Sequence, residues 1–207
     1  MSRGPSRVVI PPAAARILAP LAVEARRRKT ELYAVGGPVR DWLLRRPSFD
    51  LDLAVVGDPG PVAAAAARLL GGRVESFGWF GTRRIISEGR FRVDVATTRA
   101  ESYPEPACLP VVGAVGVPIE QDLFRRDFTI NALAVRLDDG SRSLVDAYGG
   151  ARDLKDRVLR VLQPASFRDD PTRVFRAARF LARFKHRPAP GMINELKAAL
   201  AAGHAAK

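Results

Sequence analysis

Two aspartates one residue apart, Asp50-Leu51-Asp52, open an apolar stretch that runs to Val56. Side chains alternate faces along a strand, so Asp50 and Asp52 share one face, with Cα atoms about 7 Å apart. Leu51, Leu53 and Val55 then point the other way, into a core. Two carboxylates at the mouth of a buried strand repel each other unless a cation sits between them. Hard oxygen ligands of this kind suit Mg²⁺. A lone Asp-x-Asp is common and mostly structural, so its neighbours decide the reading.

Upstream, the apolar run Leu32 to Val35 ends in Gly36-Gly37, and a short helical pattern follows with Val39, Trp42 and Leu43 on one side. Glycine allows φ > 0 and lets a phosphate approach the backbone. A turn running into a helix N-terminus presents free N–H groups to an anion. Together these features read as a phosphate cradle beside a metal-binding carboxylate pair, the layout that phosphoryl or nucleotidyl transfer needs.

Further chemistry is spread along the chain. Strands are expected at Arg73–Phe77, Thr82–Ser87 and Phe91–Thr97, separated by Gly78 and by Glu88-Gly89. In the third, Asp94 lies on the face opposite Phe91, Val93 and Val95. It is either a third carboxylate facing the first two from a neighbouring strand, or an edge-strand Asp paired with an Arg. In Arg125-Arg126-Asp127-Phe128-Thr129-Ile130-Asn131-Ala132, Arg126 offers a planar fork of donors for a triphosphate. Asp127 is placed to hold that fork, and Asn131 to bond a ribose hydroxyl or the neighbouring loop. The competing reading is a helix start with Asp127 and Thr129 as caps. Near the end, Asp170 caps a helix with Pro171 at its first position. Arg173, Arg176 and Arg179 recur every three residues as a stripe, with Phe175 and Phe180 offset toward a core. Three arginines on one face repel, so a polyanion or carboxylates should lie opposite.

The elements that must position these groups follow from the rest. Residues 1–10 read as a loose tail. Pro11-Pro12 precede an Ala- and Leu-rich helix to about Arg28, with a kink expected at Pro20 and a cationic end at Arg26-Arg27-Arg28-Lys29. A second helix spans Pro59 to Leu70 and stops at Gly71-Gly72. Residues 98–118 have the Pro and Gly density of a loop. Strands at Ala132–Leu137 and Ser143–Val145 flank the turn Asp138-Asp139-Gly140, and Val158 to Leu162 is a last short strand. Lys185 to Lys207 is a Pro-containing break and an Ala-rich helix.

Composition bounds the partners. The 207 residues, 47% of them hydrophobic, suffice for one sizeable domain, or for a domain plus part of a second. A net charge of +12 favours a polyanionic partner, most simply nucleic acid. The single cysteine, Cys108, forms no internal disulfide and reads as a small apolar filler, which fits a reducing, cytoplasmic setting. His186 and His204 lack ligand-like spacing, so no zinc site is expected. No run approaches 18 uninterrupted apolar residues, and the N-terminus lacks a signal-peptide core, so no membrane association is expected.

The combination Gly36-Gly37-x-Val39-Arg40-Asp41 ahead of Asp50-x-Asp52, with the Arg125–Ala132 block, Asp146-x-x-Gly149-Gly150-x-x-Asp153-Leu154 and Asp169-Asp170-x-x-Arg173, resembles the tRNA nucleotidyltransferase/poly(A) polymerase family, in particular the bacterial-type (class II) CCA-adding enzymes. The resemblance covers roughly residues 31–184. It implies an α/β (α+β) fold: a polymerase-β-type head with a mixed sheet over residues 31–162, behind an N-terminal tail and helix over 1–30. The start of an all-helical neck follows over 163–207. It implies template-independent addition of C and/or A nucleotides from CTP and ATP to a tRNA 3′ end. Two Mg²⁺ ions would sit on Asp50 and Asp52, with Asp94 a further catalytic carboxylate. Gly36, Gly37, Arg40, Arg126, Arg176 and Arg179 would hold phosphates, Asp127 and Asn131 would support the nucleotide, and Asp170 and Arg173 would read the base. The 146–155 block would brace the head, and residues 98–118 would be a mobile loop. The family pattern is Glu-Asp-x-x-Arg, so Asp169 shortens the first acid here. The family's further helical body and tail, which grip tRNA, have no counterpart in this sequence, as in a truncated or unusually short member. Poly(A) addition to RNA 3′ ends, or a non-catalytic RNA-binding module on the same fold, are the alternatives.

Overall fold

The computed structural model describes residues 7–77 and 81–203; the expected turn at Gly78, the tail residues 1–6 and His204 lie outside the described residues. Helix α1 spans Pro12–Arg27 and buries Ala14, Ile17, Leu18, Leu21, Ala22 and Ala25, a stripe at helical spacing. It continues through Pro20. Residues 7–10 are not a loose tail. Val8 and Ile10 are buried while Val9 is exposed, and Val8 N–H donates to Arg142 O at 3.0 Å. Their alternation is a strand-like pattern that seats them on the sheet.

In chain order there follow β1 (Leu32–Val35), α2 (Gly37–Leu43), β2 (Asp50–Val55), α3 (Gly60–Leu70), β3 (Arg73–Phe77), β4 (Thr82–Ile86) and β5 (Arg92–Thr97). Next come β6 (Arg99–Ser102), β7 (Val111–Val115), α4 (Ile119–Phe124), a 3₁₀ turn (Thr129–Asn131), β8 (Ala134–Arg136), β9 (Leu144–Val145) and α5 (Gly150–Lys155). The last elements are β10 (Val158–Leu159), α6 (Ser166–Asp169), α7 (Thr172–Phe184), β11 (Arg187–Pro188) and α8 (Met192–Ala201).

Seven strands form one sheet in the order β3-β4-β5-β2-β1-β8-β9. β2 runs parallel to β5 and antiparallel to β1, so the sheet is mixed. The α3 crossover makes that parallel pairing possible. Leu51, Leu53, Val55, Val93 and Val95 face one side, where α1 and α3 close the core. Alanines on both helices let them approach closely. On the opposite face Tyr33, Val35 and Ala54 pack against Ile119, Leu123, Ala132 and Ala134. Alternation along β2 therefore sends Asp50 and Asp52 to the second face, away from α1 and α3. A register slip of one residue would drive both carboxylates into the apolar layer.

Three expectations are revised. Residues 98–118 contain an antiparallel hairpin, β6 with β7, with an irregularity between Arg99 and Glu101. Val111, Val112 and Val115 supply the strand-forming residues that the prolines obscured. The helix expected to open at Phe167 is two helices, because Asp170 is extended (φ −131°, ψ 93°) and separates α6 from α7. Phe175 is 68% exposed, whereas Phe180 is buried. One helix cannot turn both rings to the same core from positions five apart.

A third cluster joins Phe128, Ile130, Leu154 and Leu159 to Phe167, Phe180, Phe184 and Met192. Phe128 meets Phe180 edge-to-face at 5.6 Å, a contact of about 0.5–1.5 kcal/mol beyond its burial. β10 pairs in parallel with β11, tying the same two stretches together. This docks α7 beside the Arg125–Ala132 block.

Candidate active site

The pairing of β2 with β5 sets the carboxylates. Asp52 lies opposite Asp94, and Asp50 opposite Arg92. Asp50 is exposed and pairs with Arg92 at 3.2 Å. Burial pushes the Asp52 carboxyl above the usual range; Asp94 and Asp50 add to this, and Arg126 and Arg92 oppose it. Asp94 is gripped by Arg84, with Nε to Oδ1 and Nη2 to Oδ2 both at 2.8 Å. Both readings of Asp94 hold in part: it faces Asp52 and it is paired with an Arg. Its strand, however, is internal rather than an edge.

A cavity of about 590 Å³ opens beside Asp52, between the sheet and α7. Gly36, Gly37, Arg40, Arg126, Asp127, Asn131, Asp170, Arg173 and Arg176 all line it. A second cavity, about 260 Å³, meets the first along Asp52, Arg99, Arg125 and Arg126, and contains Asp94. Asp50 lines neither cavity, and Arg179 lines neither. Each third residue of a helix falls about 60° short of a full turn, so a stripe of three winds away. Arg173 is consequently buried, Arg176 half-exposed and Arg179 fully on the solvent side.

Gly36 enters α2 with φ +73°, and a Cβ there would lie 2.7 Å from Arg126 Nη1. The guanidinium thus lies over the glycine. Arg40 is buried and donates to Asp41 Oδ1 and to Asn131 Oδ1. Its guanidinium stands 4.7 Å from the Phe184 ring centre.

Asp127 does not hold Arg126. It accepts from Arg176 Nε at 2.8 Å, from Asn131 Nδ2 at 2.9 Å and from the Phe128 N–H. Adjacent side chains diverge where α4 gives way to extended Phe128. Asn131 is engaged between Arg40 and Asp127 rather than left free. Arg126 is instead held by Asp122, one helical turn earlier, at 3.1 Å. That spacing, with Asp122 also three residues before Arg125, was the signal in the sequence for a residue not singled out there. Thr129 does not cap; its hydroxyl donates to Asp153 Oδ2 at 2.7 Å, and Arg160 Nε donates to the same oxygen at 3.0 Å. The 146–155 block therefore braces the Arg125–Ala132 block.

Arg173 donates to Ser166 Oγ at 2.7 Å, to Arg125 O at 3.0 Å and to Tyr103 Oη at 3.3 Å. Its Nε is 3.4 Å from Asp170 Oδ2. Asp170 takes the Thr172 N–H at 3.0 Å, although the helix itself begins after Pro171. Tyr103 and Glu101 reach the cavity from the hairpin region, as does Cys108, which lines the cavity rather than filling a core. Pro and Gly density hid these positions.

Among the described residues, no three His, Cys, Asp or Glu side chains converge as a metal cage. The donor set nonetheless fits Mg²⁺: two hard carboxylates, one of them raised by burial beside a third carboxylate, a charge arrangement a divalent cation relieves.

Residues 32–160 match the family model described as the poly(A) polymerase head domain. The chain belongs to this family. It is 48% identical over 150 residues to an A-adding tRNA nucleotidyltransferase of Geobacter sulfurreducens, covering 72% of this chain and 17% of that protein. It is 40% identical over 174 residues to a CC-adding tRNA nucleotidyltransferase of Deinococcus radiodurans, covering 83% and 46%. A solved complex of a CCA-adding enzyme with ATP superposes with a TM-score of 0.80 at 37% identity, over 94% of this chain and 43% of that one. The chain spans less than half the length of each.

Proposed function

We propose that this chain carries the catalytic head of an enzyme that adds C and/or A nucleotides, from CTP or ATP, to the 3′ end of tRNA without a template. In this reading the head spans residues 31–162 and a helical neck begins over 163–207. The observation that carries it is the register that places Asp52 opposite Asp94 on a wall shared with Arg126. Asp50 and Asp52 would hold Mg²⁺, which when bound lowers the pKa of an attacking hydroxyl and offsets charge on the leaving pyrophosphate.

The chain's own residues do the rest. Gly36 and Gly37 leave room for phosphate oxygens against the backbone. Arg40, Arg126 and Arg176 bring fixed positive charge to the same cavity. Asp127 and Asn131 tie Arg176 and Arg40 into one frame, so the donors are held in place before a nucleotide arrives. Asp170 supplies an acceptor and Arg173 a donor at the wall where a base edge would lie. Asp94, held by Arg84, keeps negative charge beside Asp52. Among the described residues no helix is long and apolar enough to cross a membrane, and we place the activity in the cytoplasm.

The test is the product ladder from a tRNA lacking its 3′ end, given Mg²⁺ with CTP, ATP or both. A short defined extension supports the reading. A long adenylate ladder on any RNA would make it a poly(A) polymerase. Bound RNA with no extension would favour the non-catalytic module.

A further inference from the structure

Asp122 is 1% exposed and belongs to α4. Its Oδ1 accepts from Arg125 Nε at 3.0 Å, from Arg125 Nη2 at 2.9 Å and from the Arg99 backbone N–H at 3.1 Å. Its Oδ2 accepts from Arg126 Nη2 at 3.1 Å. One buried carboxylate thus fixes two consecutive guanidiniums and the first residue of β6. Those three arginines form the wall common to both cavities, on which Asp52 also lies.

Arg126 has two anions to choose between. Asp122 is its only ion-pair partner among the described residues. Asp52 lies near enough for Arg126 to be the strongest opponent of its raised proton affinity. Arg126 Nε is buried without a hydrogen-bond partner, so the guanidinium is anchored at one end only. Removing the charge of Asp122 would leave two buried guanidiniums short of an anion, and the nearest substitute for Arg126 is Asp52.

We propose that Asp122 is a positioning residue: it holds Arg125 and Arg126 toward the phosphates and keeps Arg126 from closing onto Asp52. This rests on the nucleotide reading of the cavity. Asp122 itself touches no nucleotide in that reading and acts through the arginines.

The experiment is calorimetric titration of the full chain with ATP and with adenosine, for the parent, Asp122→Asn, Arg126→Ala and the double variant. Asp122→Asn should weaken ATP by about tenfold and adenosine by less than about twofold. In the Arg126→Ala background the same change should cost ATP about threefold at most, because the two act as a unit. Equal losses for ATP and adenosine, or an undiminished loss in the Arg126→Ala background, would reduce Asp122 to a fold-stabilising residue and overturn the proposal. Should Asp122→Asn fail to fold, Asp122→Glu, which moves the charge by one methylene, takes its place: a loss confined to ATP supports the proposal, and equal losses overturn it. A parent chain that binds ATP no better than adenosine would overturn the nucleotide reading itself. A parent with a clear preference for ATP and variants that keep it would overturn the role of Asp122 alone.

Discussion

Asp52 and Asp94 stand opposite each other across a parallel strand pair, and a guanidinium grips Asp94 while burial raises the proton affinity of Asp52. The two carboxylates thus differ in what they can give a cation. Asp94 is already compensated, and Asp52 gains most from one.

A pH dependence follows for Asp52. Its folded pKa is raised, so it stays protonated to higher pH than an ordinary Asp, and cation binding should grow as pH rises through that raised value. The same shift means that ionised Asp52 opposes folding: its stabilising share is present below the unfolded Asp pKa and is lost as pH rises through the folded one. Asp52→Asn should therefore abolish Mn²⁺ or Mg²⁺ binding and Mg²⁺-dependent transfer, while the melting temperature at neutral pH stays equal or rises. Thermal melts and metal titrations from about pH 4 to 8 check both; a clear drop in melting temperature at neutral pH contradicts this account.

Gly36→Ala combines two penalties. The backbone at φ +73° is strained for a Cβ, and that Cβ would sit 2.7 Å from Arg126 Nη1. A loss of about 1–3 kcal/mol in denaturant unfolding is expected, with weaker ATP binding as Arg126 is displaced. An unchanged affinity for ATP would mean that the position of Arg126 is irrelevant to phosphate binding.

The arginines of α7 should separate by burial. Arg173→Ala removes donors from Ser166, Tyr103 and the Arg125 carbonyl. It should cost about 1–3 kcal/mol of stability and relax discrimination against GTP and UTP in competition assays. Arg179→Ala, on the solvent side and outside both cavities, should leave nucleotide affinity within about twofold. Equal effects at the two positions would mean that α7 is turned differently toward the nucleotide.

RNA binding by this chain should be mainly electrostatic. With a net charge of +12, and with Arg125, Arg126, Arg173 and Arg176 held by internal partners, contacts to RNA fall to the exposed cations. A tRNA minihelix and an unrelated hairpin of equal length should bind alike, with log K falling linearly in log salt. Tight minihelix-selective binding with a shallow salt slope would point to a specific RNA site within residues 1–30 or 185–207.

What the amino-acid sequence determined by itself is local and periodic. Alternation over Asp50–Val55 was enough to put both aspartates on one face and Leu51, Leu53 and Val55 in the core, because strand geometry admits no other arrangement. Helix α3 and its stop at Gly71 were legible for the same reason: apolar spacing and a left-handed cap are encoded within a few residues. The tertiary structure alone decided the pairings. That Asp94 meets Asp52 depends on a parallel register set across the α3 crossover. That Asp127 takes Arg176 and leaves Arg126 to Asp122 depends on where α7 docks against Phe128. The hairpin at 99–115 escaped local reading because its strands are short and irregular and the segment between them is rich in proline. Guanidiniums and carboxylates are numerous and nearly interchangeable along the chain, so only packing selects which of them meet.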